Sequence, residues 1–256
     1  MVMSGMSNEV RVYPDLMHLS RAAAQLFLDQ AALAARERGR FFAALNGGST
    51  PKHLFQLLAQ DQSGKVDWKK AQIFWGDERC VPPDDIESNY RQASELLLVP
   101  AKIPNENIYR IKGELGAKEA PQDYALVLKR FASPPFEWPR FDLVLLGMGE
   151  DGHTASLFPG SPVETQSPTL GVTAHYQDRP TERVTLTPIV FNSARLILFM
   201  AVGENKALTL GKVLNNGYQP ELYPAQRISP TEGRLIWLLD KAAADNIPKR
   251  LFRQDE

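Results

Sequence analysis

The sequence predicts an α/β fold, with a mostly parallel central sheet and helices on both of its faces, in a Rossmann-like arrangement. Short apolar runs alternate with longer amphipathic segments along the 256 residues, and this alternation is typical of parallel strands joined by helices. Residues 143–146 form the clearest run, which suits a strand buried on both faces. The length fits one large domain, so we assign residues 1–256 to a single unit.

Each predicted element follows from a local pattern. Apolar residues recur at helical spacing between Leu16 and Ala34, and Gly39 stands where such a helix would end. Pro51 suits the first turn of a helix, where no backbone N–H is needed, and Ser88 suits a helix N-cap. The predicted strands are residues 9–13, 41–45, 71–75, a short strand within 105–111, 143–146, 183–188, 195–202 and 235–239. The predicted helices are residues 15–38, 52–60, 89–98, 124–131, 189–192 and 207–214, with a surface excursion at 161–180.

Composition argues against several classes of partner. The formal net charge is -1 and no long basic run occurs, so we expect no nucleic-acid binding. No apolar run reaches the length of a membrane span, and residues 1–8 lack the charged and apolar regions of a secretory signal. Cys80 is the only cysteine, which fits a reducing compartment. We therefore expect a cytoplasmic protein, a monomer or weak dimer, with a small-molecule partner.

The turn after residues 143–146 carries groups that handle protons. Three glycines within residues 147–152 allow the backbone to turn tightly and to approach a ligand closely. Glu150, Asp151 and His153 lie among and beside these glycines. Ligands of open α/β sheets bind at the carboxyl ends of the strands. The pattern therefore predicts that Asp151 and His153 are catalytic.

Three other interpretations of this turn remain open. Its glycines match the dinucleotide fingerprint, although Glu150 and Asp151 would face the phosphates and Pro159 cuts the following segment short. The turn could also be a solvated loop with a hydrogen-bonded His153. A metal hydrolase is the third alternative because Asp151 and His153 could supply two ligands, but no other His or Cys cluster stands out and we expect no metal.

The loop after the second predicted strand has the pattern of an anion site. Gly47 and Gly48 allow several backbone N–H groups to point in one direction, and Ser49 or Thr50 can cap the helix that follows. The N-terminus of a helix carries a positive dipole end, so phosphate fits this loop best. The Lys-Ser/Thr ending of a Walker loop is absent, so ATP is not implied. A capped turn without a ligand is the alternative interpretation.

Further charged residues follow or begin predicted strands. Asp77 could accept a proton or bind sugar hydroxyls, and Arg79 could bind a phosphate bidentately, but their stretch fits a charged surface turn equally well. Lys206 stands at a strand-to-helix turn, where a cation opposes the helix dipole and needs a ligand or partner. Arg183 begins a strand, and an exposed strand end explains it nearly as well as a phosphate contact does. Because the carboxyl ends of parallel strands share one edge, we predict one pocket with a phosphate cradle and a proton-transfer group.

Four stretches of the chain together form a recognisable set of motifs. They are Asn46-Gly47-Gly48-Ser49-Thr50-Pro51, Trp75-Gly76-Asp77-Glu78-Arg79, residues 147–159 with Asp151-Gly152-His153, and Gly203-x-x-Lys206. These stretches resemble, in the same order, the motifs of the 6-phosphogluconolactonase family, and the resemblance extends from about residue 12 to residue 240. The related glucosamine-6-phosphate deaminases share the glycine-serine-threonine loop and the Asp-Gly-His core, but differ where this chain has residues 75–79 and 156–159.

The resemblance implies hydrolysis of 6-phospho-D-glucono-1,5-lactone to 6-phospho-D-gluconate, the second step of the oxidative pentose phosphate pathway, without a cofactor. We then expect His153 to act as general base on water and Asp151 to orient its imidazole or hold the water. The expected phosphate ligands are Ser49, Thr50, Arg79 and Lys206, with Arg183 as a weaker candidate. Two alternatives remain, an amino-sugar-phosphate isomerase or deaminase with Asp77 as carbon base, and a non-catalytic sugar-phosphate sensor.

Overall fold

A computed structural model describes residues 9–61, 63–162 and 164–253 of the chain. The strands are β1 (Glu9–Tyr13), β2 (Phe41–Leu45), β3 (Ala71–Trp75), β4 (Asp77–Arg79), β5 (Ile108–Tyr109), β6 (Leu143–Gly147), β7 (Thr169–Thr173), β8 (Glu182–Leu186), β9 (Leu196–Ala201) and β10 (Arg234–Asp240). The α-helices are α1 (Leu16–Arg38), α2 (Pro51–Ala59), α3 (Asn89–Ala93), α4 (Gly116–Lys129), α5 (Pro188–Phe191) and α6 (Ala207–Asn215).

Seven strands form one parallel sheet in the order β1-β10-β9-β6-β2-β3-β5. Every residue of β2 and β9 is buried, as their continuous apolar sequences require. Helix α1 packs against β1, β2 and β10, and the buried side chains of both layers form one core. The predicted α/β fold with a mostly parallel central sheet is therefore confirmed.

The centre of the sheet contains a change of direction in the chain path. β2 and β6 are neighbours, but the chain continues from β2 to β3 on one side and from β6 to β9 on the other. Their ladder comprises Ala43 with Leu143 and Ala44 with Val144, and both strands continue past it. Such a switch point leaves a crevice outside the carboxyl ends of the strands, which is where ligands of open α/β sheets bind.

A second, antiparallel sheet of order β4-β8-β7 stands beside this crevice. The alternative of a charged surface turn at Asp77 and Arg79 is wrong, because Asp77–Arg79 pairs with β8 as a strand. The excursion predicted at residues 161–180 likewise contains β7. Strands β4 and β7 are short, and each pairs only with β8 in this sheet. β8 is far away from β4 in sequence.

Helix ends follow the predicted signals with two exceptions. The side chain of Asp15 accepts from His18 N at the start of α1, and Gly39 ends that helix with a left-handed φ of 71°. Ser88 caps α3 as predicted, and the helical path continues as a π-turn over Ser94–Leu98. Thr50 occupies the N-cap position of α2 but its side chain makes no capping hydrogen bond, so the predicted hydroxyl cap is wrong there.

Helix α4 is the other exception, because it begins at Gly116 rather than at residue 124. Pro121 lies inside it, and such a proline argues against a helix because it lacks an N–H and its ring crowds the preceding turn. Here the Pro121 carbonyl accepts a hydrogen bond from Thr169 Oγ1 at 2.7 Å, and the helix packs against β7. Tertiary contacts therefore outweigh the local signal.

The described residues contain no helix with both the length and the apolar character needed to cross a bilayer. Residues 1–8, where the sequence indicates no secretory signal, lie outside the described part of the chain.

Candidate active site

The turns that follow β2, β6 and β9 meet β4 and β8 around a cavity of about 310 Å³ at the switch point. Asp151 is absent from the cavity wall but bonds directly to a residue on it, His153. The other predicted residues all line the cavity, and they are Gly47, Gly48, Ser49, Thr50, Asp77, Arg79, His153, Arg183 and Lys206.

A larger cavity, of about 670 Å³, lies at the edge of the sheet formed by β1, beside β1 and the start of β10. Its titratable side chains are Glu9, Arg234 and Arg253, and both arginines pair with Glu9. Size alone therefore does not identify the functional site, and the smaller cavity carries the proton-handling groups.

His153 and Asp151 form a hydrogen-bonded pair. Nδ1 of His153 lies 2.6 Å from Oδ1 of Asp151, and the backbone N–H of His153 donates to the same oxygen at 3.1 Å. Burial alone would raise the pKa of Asp151, but the hydrogen bonds and charge of His153 outweigh it and lower that pKa. A carboxylate only accepts, so Nδ1 carries the proton and Nε2 is left as the acceptor of the neutral ring.

The glycines of this turn permit the pair to form. A Cβ atom on Gly149 would fall 2.1 Å from Nδ1 of His153, so a larger residue could not stand there without displacing the imidazole. Gly152, between Asp151 and His153 in sequence, has a left-handed φ of 85°, which glycine adopts without strain. Thr154 Oγ1 donates to Gly147 O at 2.8 Å and closes the turn back on β6.

Two aromatic rings restrict the imidazole. The ring centroid of Phe158 lies 4.4 Å from that of His153, and Tyr176 meets the imidazole edge-on at 4.7 Å. The side chain of His153 is 14% exposed. With Nδ1 committed to Asp151 and two aromatic rings packed against the imidazole, the ring is held in one orientation at the cavity wall.

The loop after β2 is shaped by Asn89 at the start of α3. A Cβ on Gly47 would lie 1.8 Å from Oδ1 of Asn89, so this position requires glycine for close approach. Gly48 has a left-handed φ of 103° and directs the chain into α2. Ser49 and Thr50 then stand on the cavity wall at the N-terminus of that helix, whose dipole favours an anion.

Asp77 is buried and already engaged by two side chains. Ser156 Oγ donates to its Oδ2 at 2.8 Å, and Asn89 Nδ2 lies 3.3 Å from its Oδ1 and 2.9 Å from its backbone oxygen. Asp77 is 5% exposed. Both carboxylate oxygens thus act as acceptors for the protein itself, which restricts their freedom to act on a ligand.

Arg79 and Arg183 face each other across the β4–β8 ladder. Arg183 is only 3% exposed, so the alternative of an exposed strand end is wrong, and Arg79 is likewise no surface residue. Burial, followed by the charge of Arg79, lowers the pKa of Arg183. Among the described residues, Nε of Arg79 and one terminal nitrogen of Arg183 have no hydrogen-bond partner. Buried guanidinium N–H groups without acceptors are costly, and an anion in the cavity would satisfy them.

Lys206 stands on the cavity wall, at the junction of a helical turn (Glu204–Lys206) and α6. Burial lowers its pKa, while the charges of Glu150 and Asp151 act in the opposite direction. Asn205 donates to Glu150 Oε1 at 2.6 Å and ties this turn to the one after β6. The cation is thereby held close to the His153–Asp151 pair.

Several cavity residues were not anticipated from the sequence. Asn89 directly follows Ser88, the predicted helix N-cap, and it lines the cavity. A polar residue at the start of a helix beside a strand-end loop is a signal that could have identified it. Tyr176 and Arg179 lie on the tip of the β7–β8 hairpin, within the stretch predicted to be an excursion. Across the described ranges, no three His, Cys, Asp or Glu side chains are grouped so as to hold a metal ion.

Comparison with known proteins gives consistent matches. A family model described as glucosamine-6-phosphate isomerases/6-phosphogluconolactonase matches residues 14–237. A 6-phosphogluconolactonase of Synechocystis sp. is 39% identical over 216 residues, covering 84% of this chain and 88% of the relative. A probable 6-phosphogluconolactonase 2 of Oryza sativa subsp. indica is 34% identical over 253 residues, covering 94% and 90% respectively. The structure of 6-phosphogluconolactonase from Trypanosoma brucei has 28% sequence identity and a TM-score of 0.82, covering 94% of this chain and 99% of that one.

Proposed function

The chain belongs to the family of glucosamine-6-phosphate isomerases and 6-phosphogluconolactonases, and on this premise we propose that it hydrolyses 6-phospho-D-glucono-1,5-lactone to 6-phospho-D-gluconate. One arrangement carries the proposal. The His153–Asp151 pair and the unpartnered guanidinium N–H groups of Arg79 and Arg183 line or adjoin the same cavity of about 310 Å³. A lactone with a remote phosphate needs a base at one end of its site and cations at the other.

In the proposed mechanism, His153 is the general base. Nε2 takes a proton from a water molecule as its oxygen attacks the lactone carbonyl carbon, and a tetrahedral intermediate forms. The bond from that carbon to the ring oxygen then breaks, and the imidazolium returns its proton to the departing oxygen. Asp151 holds Nδ1 of His153 and stabilises the imidazolium. The lowered pKa of Asp151 keeps its carboxylate ionised for this role, which supports His153 as the base. The products are a carboxylic acid and a hydroxyl group, so no cofactor is consumed.

The phosphate is proposed to bind at the guanidinium end of the cavity. Arg79 and Arg183 supply the N–H groups that otherwise lack acceptors, and Ser49 and Thr50 add hydroxyls beside the N-terminus of α2. Lys206 supplies a further positive charge that steers the anionic substrate. Binding energy from the phosphate can position the lactone carbon and raise the rate as well as the affinity.

Two other functions use the same cavity. An amino-sugar-phosphate isomerase or deaminase would need Asp77 as a free carbon base, yet both of its carboxylate oxygens already accept from Ser156 and Asn89. This supports the lactonase over the isomerase. A non-catalytic sugar-phosphate sensor would not require the Nδ1 bond that prepares His153 to accept a proton, so that bond favours an enzyme.

We further propose that the enzyme acts in the oxidative pentose phosphate pathway, in the cytoplasm, as a monomer or weak dimer. The pathway is argued from the proposed substrate, and the compartment from the single cysteine, Cys80.

A coupled assay tests the proposal. Glucose-6-phosphate dehydrogenase generates the lactone in place, and acid release is followed with and without this protein. We expect acid release well above the spontaneous rate, and unchanged activity after treatment with a chelator. A rate equal to the spontaneous one, with tight product binding, would favour the sensor. Release of ammonia from glucosamine 6-phosphate would favour the deaminase.

A further inference from the structure

A two-residue turn between β7 and β8 places further side chains on the cavity wall. Arg179 N donates to Tyr176 O at 3.2 Å, and the two central residues, Gln177 and Asp178, have left-handed φ values of 51° and 53°. Two consecutive left-handed residues define the tight hairpin turn whose twist matches that of its strands. Tyr176, Gln177 and Arg179 all line the 310 Å³ cavity.

Arg179 connects this turn to the loop that precedes α3. One of its terminal nitrogens lies 3.1 Å from Oε2 of Glu87, a residue 92 positions earlier. The same oxygen lies 4.0 Å from a terminal nitrogen of Arg79, which also donates to the backbone oxygen of Glu87 at 2.6 Å. One carboxylate therefore faces the guanidinium groups of two residues on the cavity wall.

The charges around this point are unbalanced. The positive charges of Arg79 and Arg179 both act on Arg183, and the acidic groups that act on it are Asp77 and Glu87. Asp77 already accepts hydrogen bonds from Ser156 and Asn89. Three guanidinium groups thus stand against the two carboxylates of Asp77 and Glu87, and of these two only Glu87 is paired with a guanidinium group. The excess of positive charge favours an anionic ligand at this point.

We propose that Arg179 is a further phosphate-binding residue, and that Glu87 is its resting partner, which the substrate's phosphate replaces. The inference rests on the proposed function, because it assigns one more ligand to the same phosphate. A phosphate that satisfies Arg79 and Arg183 comes within reach of Arg179 and competes with Glu87 for the same cations. The side chain of Arg179 is 42% exposed, so it changes partner without a buried rearrangement.

The exchange also reaches the catalytic end of the cavity. Tyr176 belongs to the same turn as Arg179, and its ring contacts His153 edge-on at 4.7 Å. A phosphate that holds Arg179 therefore also holds the turn that packs against the imidazole. Tyr176 is a positioning residue in this scheme, and loss of Arg179 affects kcat as well as KM.

Variants of the two partners should have opposite effects. Arg179→Gln removes a phosphate ligand, whereas Glu87→Gln removes the competitor and leaves the backbone contacts of residue 87 in place. The quantity to measure is the ratio of kcat/KM for the phosphorylated lactone to kcat/KM for unphosphorylated gluconolactone. We expect this ratio to fall about 5- to 30-fold in Arg179→Gln, because one charged hydrogen bond is lost at a partly exposed site. The same ratio should rise in Glu87→Gln. Arg36→Gln, at an exposed position of α1, is the matched control.

Opposite signs separate ligand exchange from a structural ion pair. If the pair merely fastened the turn, both variants would lose activity in the same direction, and that result would overturn the inference. Arg179→Lys should recover part of the ratio, because it restores the charge without the planar fork. Full activity of Arg179→Gln on the phosphorylated lactone would also overturn it.

Titration with inorganic phosphate gives a readout that does not depend on turnover. We expect weaker phosphate binding in Arg179→Gln and tighter binding in Glu87→Gln, measured by calorimetry against the unmodified protein. If the unmodified protein fails to hydrolyse the lactone but these two shifts occur, the proposed reaction falls while the phosphate site stands. If hydrolysis occurs without the shifts, the inference about Arg179 falls and the lactonase stands.

Discussion

The hydroxyl of Ser156 donates to Oδ2 of Asp77 at 2.8 Å and joins the turn that carries His153 to the strand that carries Arg79. The two residues are 79 positions apart, and both are buried. The bond therefore fixes the distance between the proposed base and the proposed phosphate site. The two ends of the cavity are held in register by this contact as well as by the sheet.

Ser156→Ala tests this connection. The change leaves Oδ2 of Asp77 without its donor in a buried position, which costs on the order of 1–3 kcal/mol of unfolding free energy. We expect a lower urea midpoint and a lower kcat for the phosphorylated lactone. Ser63→Ala, on an exposed loop, is the control and should match the unmodified protein. Unchanged stability and kcat in Ser156→Ala would show that the bond has no mechanical role.

His153→Ala should lose roughly 10²–10⁴-fold in kcat, the usual contribution of a positioned general base. Asp151→Asn should also lose activity, because an amide can donate to Nδ1 and stabilise the tautomer in which Nε2 carries the proton. The control is His18→Gln, at an exposed position of α1. Steady-state rates on the phosphorylated lactone measure all three, and near-normal turnover by His153→Ala would remove this residue from the mechanism.

Gly47→Ala should disturb the cavity through Asn89. The new Cβ would overlap Asn89 Oδ1, which lies 1.8 Å from its position, and Asn89 would release Asp77 as it moves. We expect at least a 10-fold loss of kcat/KM, about the effect of losing 1.4 kcal/mol of transition-state stabilisation. The double variant Gly47→Ala/Asn89→Ala should be no worse than Asn89→Ala alone, because the clash has been removed. Strictly additive losses in this cycle would contradict the steric explanation.

The turns after β2 and β6 were predictable because their signals are local. Glycines follow the apolar runs of β2 and β6, at Gly47 and Gly147, and the topological rule for parallel sheets places both turns at one edge. The strand at Asp77–Arg79 was missed because three consecutive charged residues become a strand only through pairing with β8. For the same reason, the low exposure of the Arg79 and Arg183 side chains could not be predicted, since the two residues become neighbours only across that ladder.

The contact between Tyr176 and His153 could not be predicted from the sequence either. It depends on two consecutive non-glycine residues, Gln177 and Asp178, that adopt left-handed backbone angles. No turn signature in the sequence indicated such a conformation, since glycine is the residue that favours it. The hairpin tip instead follows from the pairing of β7 with β8, which is a tertiary contact.

Lys206 should make ligand affinity depend on pH in the alkaline range. Burial lowers its pKa below that of an ordinary lysine, and Lys206 is charged only below its pKa. Affinity for 6-phosphogluconate, which needs that charge, should therefore fall as pH rises through the lowered pKa. Calorimetric titrations with this stable product from neutral to alkaline pH would measure the fall.

Two variants of Lys206 identify the group responsible. Lys206→Arg keeps its charge throughout this range, so its affinity should stay level as the pH rises. Lys206→Ala should bind the product about 10-fold more weakly at neutral pH, as expected for the loss of one charged contact, and should show no alkaline fall. Proton uptake should accompany binding near the pKa, because the negative charge of the bound product raises the pKa of Lys206 again. The measured heat should then depend on the buffer. An alkaline fall of equal size in Lys206→Arg would assign the titration to another group.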